Sequence, residues 1–160
     1  MVLLLTGSRR GELAHARWDD INFKERTWTI PDEHHKEDEG YICPLTDQAL
    51  EQFRALEALG SKRQSPWVCP AFHAPDRAAD PMHLSRRISR CLPVFKEQGI
   101  EHSTLHDLRR TVRTGLTRLG LLPHVAERVL SDKQRGFIGV YDRHQYLDEK
   151  RRALEQWAAR

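Results

Sequence analysis

Between Ser103 and Leu119 the apolar residues fall at Leu105, Leu108, Val112, Leu116 and Leu119, three- and four-residue steps that a helix brings onto one face. A stripe of that length needs something to bury it, so it commits the chain to a packed helical core. Ser103 or Thr104 can cap the helix, since a short side-chain oxygen can accept an orphan N–H of the first turn. The other face is charged. His106 and Arg109 are neighbours on one helix surface and offer an imidazole and a planar guanidinium to one small anionic group. An isolated His-x-x-Arg is more often a solvated basic face, so its weight depends on the rest of the chain.

Helical periodicity covers most of what remains. Met1 to Leu5 reads as the tail of a buried helix, Thr6-Gly7-Ser8 as a break, and Arg9 onwards as a second helix leading into Trp18 and Ile21. Thr46 or Asp47 opens a helix with Ala49, Leu50, Phe53, Leu56 and Leu59 on one stripe, closed by Gly60. Leu84, Ile88, Leu92 and Phe95 form another stripe. Pro123 suits the first turn of a helix burying Val125, Val129 and Leu130. Leu147, Leu154 and Trp157 mark a terminal amphipathic helix that docks on this domain or on a neighbouring protomer. Thr27 to Ile30 and Tyr41 to Cys43 have strand character, so a small antiparallel hairpin or three-stranded sheet fits there. Residues 61 to 81, with four prolines, read as a long surface loop with a short strand at Trp67-Val68. The expected class is α+β, mainly α-helical, with a small antiparallel sheet on the N-terminal side.

The 160 residues suffice for one domain with a substantial core. The net charge is only +3, but arginine supplies 20 of the 26 basic residues, and its fork matches phosphate oxygens. Cys43, Cys69 and Cys91 are odd in number and widely spaced, which argues against a disulfide framework or a thiolate metal site and for a reducing cytoplasm. The opening apolar run is too short for a signal peptide or a membrane span. His102 and His106 are spaced as zinc ligands on a helix can be, but the residue order is wrong and no third ligand is evident.

Taken in order, Thr6-Gly7-Ser8-Arg9-Arg10-Gly11-Glu12-Leu13, Lys36 ahead of Pro44-Leu45, His106-Asp107-Leu108-Arg109, and Tyr141 nine residues beyond Asp132 resemble the tyrosine recombinases of the phage-integrase kind. The run Tyr141-Asp142-Arg143-His144-Gln145-Tyr146-Leu147-Asp148-Glu149 is similar to integrases of prophages and genomic islands. The resemblance implies that residues 1–160 form one catalytic domain with the tyrosine recombinase fold. Core-binding and arm-binding domains, usual ahead of this region in the family, are not among these residues.

The resemblance also implies the chemistry. Tyr141 would attack a DNA phosphodiester and leave a 3′-phosphotyrosyl link that keeps the ester's energy for rejoining. Arg9 and Arg109 would grip the non-bridging oxygens, each supplying a factor of roughly a hundred or more. Lys36 would protonate the departing 5′-oxygen, His106 would hydrogen-bond the phosphate or assist proton transfer, and Glu12 would orient its neighbours. Arg10, Arg86, Arg87 and Arg110 would contact the DNA backbone. No cofactor or metal is required, because two cations can do the work of one. The expected partners are double-stranded DNA, other integrase protomers and DNA-bending accessory proteins, with no membrane. Read from residue types alone, Arg10 competes with Arg9, Lys36 with an ordinary loop lysine, and Tyr146 with Tyr141.

The family usually has Leu-Gly-His, or a tryptophan in place of the histidine, where this chain has Leu130-Ser131-Asp132. An ionised aspartate cannot donate to a phosphate and repels it. Two further readings therefore stand beside the integrase reading: a DNA-binding remnant that no longer cuts, and a type IB topoisomerase-like relaxing enzyme.

Overall fold

In a computed structural model the fold is described for residues 1–35, 40–60, 64–100, 103–132 and 145–160. The opening helix α1 (Val2–Thr6) buries Val2, Leu3 and Leu5 and ends at Gly7, which takes the left-handed conformation (φ 66°) and returns its N–H to Leu3 O. Glycine is required there twice over: the left-handed turn disfavours a side chain, and a Cβ would collide with Leu130. Arg9 caps α2 (Arg10–Ala14), and the Glu12 carboxylate accepts the Arg9 backbone N–H at 2.6 Å. The expected continuation of this helix to Trp18 and Ile21 does not occur. Helix α2 stops at Ala14, Trp18–Asp20 forms a 3-10 turn, and Ile21 enters the sheet.

The sheet is three-stranded and antiparallel in the order β1 (Ile21–Asn22), β2 (Thr27–Ile30), β3 (Tyr41–Pro44). Ile21 pairs with Trp28, and Trp28 with Cys43. Alternation along β2 buries Trp28 and Ile30 while Thr29 faces solvent, as a one-sided sheet demands. Trp28 meets Phe53 edge-on at 5.8 Å. Phe53 belongs to α3 (Asp47–Gly60), whose first turn is capped by the Thr46 hydroxyl. Leu59, expected on the buried stripe, is 81% exposed: the buried positions of α3 end at Phe53, and Leu56 is only partly buried.

Helix α4 (Pro81–Glu97) follows a loop with isolated bridges at Arg17–Trp67 and Pro70–Ala78. Its stripe of Leu84, Ile88, Leu92 and Phe95 is only half-buried. Helix α5 (Leu105–Arg118) is capped by Thr104, with Asp107 completing a reciprocal capping box. It packs on α1, on α6 (Pro123–Val129) and on the terminal helix α7 (Leu147–Ala158). Helix α7 docks on its own domain: Ala153 and Leu154 are buried, Lys150 Nζ donates to Ile42 O at 2.7 Å, and Trp157 Nε1 donates to Leu4 O at 2.8 Å. No helix among the described residues is long and apolar enough to cross a membrane.

Candidate active site

Arg109 is buried, contrary to its expected place on the charged face of α5. It shares the inner stripe with Val112 and Leu116, one and two turns along, so the guanidinium points into the core side of the domain. Such burial is tolerated only where the donors are matched. Nη1 donates to Gly7 O at 2.7 Å, and Nη2 donates to Leu130 O and, at 2.9 Å, to Asp132 Oδ1. Burial pulls the guanidinium below the usual arginine range, Asp132 pulls it back up, and Arg9 pushes it down again.

Arg9 arrives from the α1–α2 break. Its Nη1 donates to Glu12 Oε1 at 2.9 Å, and its Nη2 to the same Asp132 Oδ1 at 3.0 Å and to Ser131 O at 3.4 Å. Glu12 is buried and touches both the side chain and the backbone of Arg9, so it fixes the guanidinium from behind. Two guanidinium groups from opposite parts of the chain therefore converge on one carboxylate oxygen. Asp132, whose side chain is 44% exposed, presents a single anionic oxygen to both guanidinium forks.

A cleft of about 630 Å³ opens beside this pair, walled by α2, α4 and the start of α5. His106 lines it together with Arg9 and Arg109, and Ser85, Ser89 and Ser103 supply further polar groups. Arg10 also lines it and donates to Ser85 Oγ at 2.7 Å, tying α2 to α4. Arg86 and Arg87 are exposed on α4 outside the cleft lining. Arg110 lies outside it as well, on an exposed face of α5, 3.5 Å from Asp107. Lys36 and Tyr141 fall outside the described residues. Tyr146, the rival tyrosine, sits at the start of α7 with Arg128 stacked over its ring at 4.1 Å. Among the described residues no three His, Cys, Asp or Glu side chains are grouped to hold a metal ion.

Three participants escaped the reading of the sequence. Gly7 contributes a carbonyl, which no side-chain pattern reveals. His35 is buried and contacts Ser131 Oγ through Nε2, and Tyr41 donates its hydroxyl to Val129 O at 2.7 Å. Burial raises the Tyr41 phenol well above its usual value, so it remains a donor. Ser131, at the glycine position of the Leu-Gly-His pattern, is a departure that could have drawn attention to the turn, though not to His35 as its partner.

The chain as a whole has relatives. The chain is 31% identical over 156 residues to the prophage integrase IntA of Escherichia coli K12, covering 97% of this chain and 36% of that protein. It is 26% identical to the integrase of Enterobacteria phage P4, over 97% of this chain and 37% of that one. It thus spans little more than a third of the length of these relatives. Among solved structures, the XerA recombinase superposes with a TM-score of 0.68 at 18% identity, over 99% of this chain and 54% of that chain. The Tn1549 transposon integrase in complex with circular intermediate DNA superposes with a TM-score of 0.64 at 16% identity, over 94% of this chain and 54% of that chain. What these structures share with it is the fold of a tyrosine recombinase catalytic domain. The model of the phage integrase family matches residues 1–146, and the chain belongs to that family.

Proposed function

We propose that residues 1–160 are a single catalytic domain that cuts and rejoins double-stranded DNA at defined sites, integrating or excising a prophage or genomic island in the bacterial cytoplasm. The observation that carries this reading is the convergence of Arg9 and Arg109 on one anionic oxygen beside an open cleft lined by His106. In the reaction a DNA phosphate takes the seat of the Asp132 carboxylate, and the two guanidinium groups stabilise the charge that develops on its non-bridging oxygens. Tyr141 Oη attacks phosphorus, the bond to the 5′-oxygen breaks, and the 3′-phosphate remains on the tyrosine. Lys36 supplies the proton to the leaving 5′-oxygen, while His106 hydrogen-bonds the phosphate or takes up the tyrosine proton. A 5′-hydroxyl from the exchanging strand reverses the sequence, with no nucleotide cofactor. Other protomers and DNA-bending proteins complete the assembly.

Covalent capture tests this. A pool of nicked duplexes with randomised flanks, incubated with the protein and resolved under denaturing conditions, is expected to yield a protein–DNA adduct. Tyr141→Phe abolishes it and Tyr146→Phe does not. The reverse pattern moves the nucleophile to Tyr146. DNA binding without any adduct supports a remnant that no longer cuts, a reading that the Asp132 carboxylate on the phosphate seat favours.

A further inference from the structure

The turn that follows α6 is built against backbone preference. Ser131 N–H bonds to Arg128 O at 3.2 Å and Asp132 N–H to Glu127 O at 3.0 Å, the paired bonds of a Schellman turn. The left-handed position of such a turn belongs to glycine, because an L side chain crowds the backbone there. Here it is Ser131, at φ 56°. What serine has and glycine lacks is a hydroxyl, and that hydroxyl meets His35 Nε2.

The contact ties two parts of the fold together. His35 follows β2 and is buried, stacked on Tyr41 with ring centroids 6.0 Å apart, its Nε2 3.9 Å from Glu12 Oε1. Tyr41 holds Val129 O on the last turn of α6, and His35 holds the residue just beyond the helix end. On its other side the same short stretch gives Leu130 O and Asp132 to Arg109, and Ser131 O and Asp132 to Arg9. A shift of this turn therefore moves acceptors of both guanidinium groups at once.

We infer that His35 and Ser131 are a positioning pair, whose imidazole–hydroxyl contact fixes the left-handed turn and through it the orientation in which Arg9 and Arg109 meet a phosphate. Neither residue touches the reacting atoms. The consequence for catalysis rests on the reading of Arg9 and Arg109 as a phosphate clamp, whereas the ordering of the two side chains does not.

Ser131→Gly separates positioning from folding, because glycine relieves the backbone while it removes the hydroxyl. The melting temperature is expected to hold or rise, while cleavage of captured DNA by the full chain falls about tenfold to a hundredfold, the scale of a small misplacement in a reacting site. His35→Phe, which keeps the ring stack on Tyr41, is expected to lose a similar factor, His35→Gln to recover part of it, and the double variant to lose no more than the worse single one. Arginine-selective NMR of the DNA-free protein gives a second readout. Resolved, slowly exchanging Nη protons of Arg109 are expected in the parent and broadened ones in Ser131→Gly. Unchanged cleavage and unchanged arginine signals in Ser131→Gly overturn the proposal. If the parent forms no adduct, the cleavage reading fails, and the arginine signals alone decide the positioning pair.

Discussion

Helices α4 and α5 have equally clear apolar stripes in the sequence but occupy opposite situations in the fold. Helix α5 is gripped by α1, α6 and α7 and buries Val112, Leu116 and Arg109. None of the described side chains of the longer α4 is fully buried; it leans on α2, holds it through Arg10 and Ser85, and exposes Arg86, Arg87 and Arg90. Amphipathic periodicity reports that a helix has an apolar side and is silent about what covers it. In α5 the core covers the stripe, and the charged residue that interrupts it becomes the anchor of the site. In α4 the stripe is left half-open, and Ile88 and Leu92 line the cleft.

The sharpest way to break this contrast is Arg109→Met, which strands Gly7 O and Leu130 O without their donor. It should cost about 3 kcal/mol in denaturant unfolding, the scale of buried polar groups left unpaired. Gly115→Ala tests the far side of α5, where a Cβ would run into the Trp157 ring of α7. A loss of about 1–3 kcal/mol is expected from overpacking, and a neutral result would mean that α7 is not seated there.

The docking of α7 also sets a pH dependence. Lys150 is 2% exposed, and burial brings its ammonium down from 10.5 to about 8. Between those values the unfolded chain binds more protons than the folded one, so stability rises with pH. Cys43 opposes this from about pH 8 upwards: burial pushes its thiol from 9.0 to about 12, so the unfolded chain loses that proton first. Cys69, raised to about 11, acts in the same direction. Lys150 alone would add about 1 kcal/mol from pH 8 to 9 and the two thiols offset most of it, so urea unfolding should show stability climbing by about 0.3 kcal/mol over that interval and declining beyond. Lys150→Met should remove the climb. On α4 the effects are smallest: Leu92→Ala should cost under about 1 kcal/mol, while Arg86→Ala and Arg87→Ala leave stability unchanged and each reduce the salt slope of duplex binding by about 0.9. A stability loss on α4 to match Arg109→Met would erase the difference between the two helices.

Most elements were legible because their causes are local. Thr104 caps α5, Gly7 breaks α1 from α2, Pro123 opens α6, and the alternation of β2 shows its buried face. The residues misread are those whose fate is set by distant partners. Arg109 looked like a surface residue because its acceptors are backbone carbonyls 102 and 21 positions away. Leu59 looked buried because periodicity marks a helix face and not how far along the helix that face is covered. Ile21 continued a helical pattern until pairing with Trp28 claimed it. In the site, the order of landmarks drew attention to Arg9, His106, Arg109 and Asp132, whose neighbourhood the fold provides. The support from His35, Tyr41 and Gly7 depends on three-dimensional contacts that no motif encodes.

In the proposed reaction Arg9 and Arg109 form a seat for one oxyanion, filled by Asp132 until a DNA phosphate replaces it. The most direct test of that seat is the single-turnover cleavage rate of Asp132→His on a captured substrate. Histidine vacates the seat, removes a charge that repels phosphate and adds a donor, and one such donor in a preorganised site is worth about 2.7–4 kcal/mol. The expected result is a rise of about a hundredfold or more in rate. An unchanged rate would place Asp132 outside the reacting site, and a lower one would make its carboxylate a working part of the arginine pair; either result would rule out a seat that Asp132 only fills.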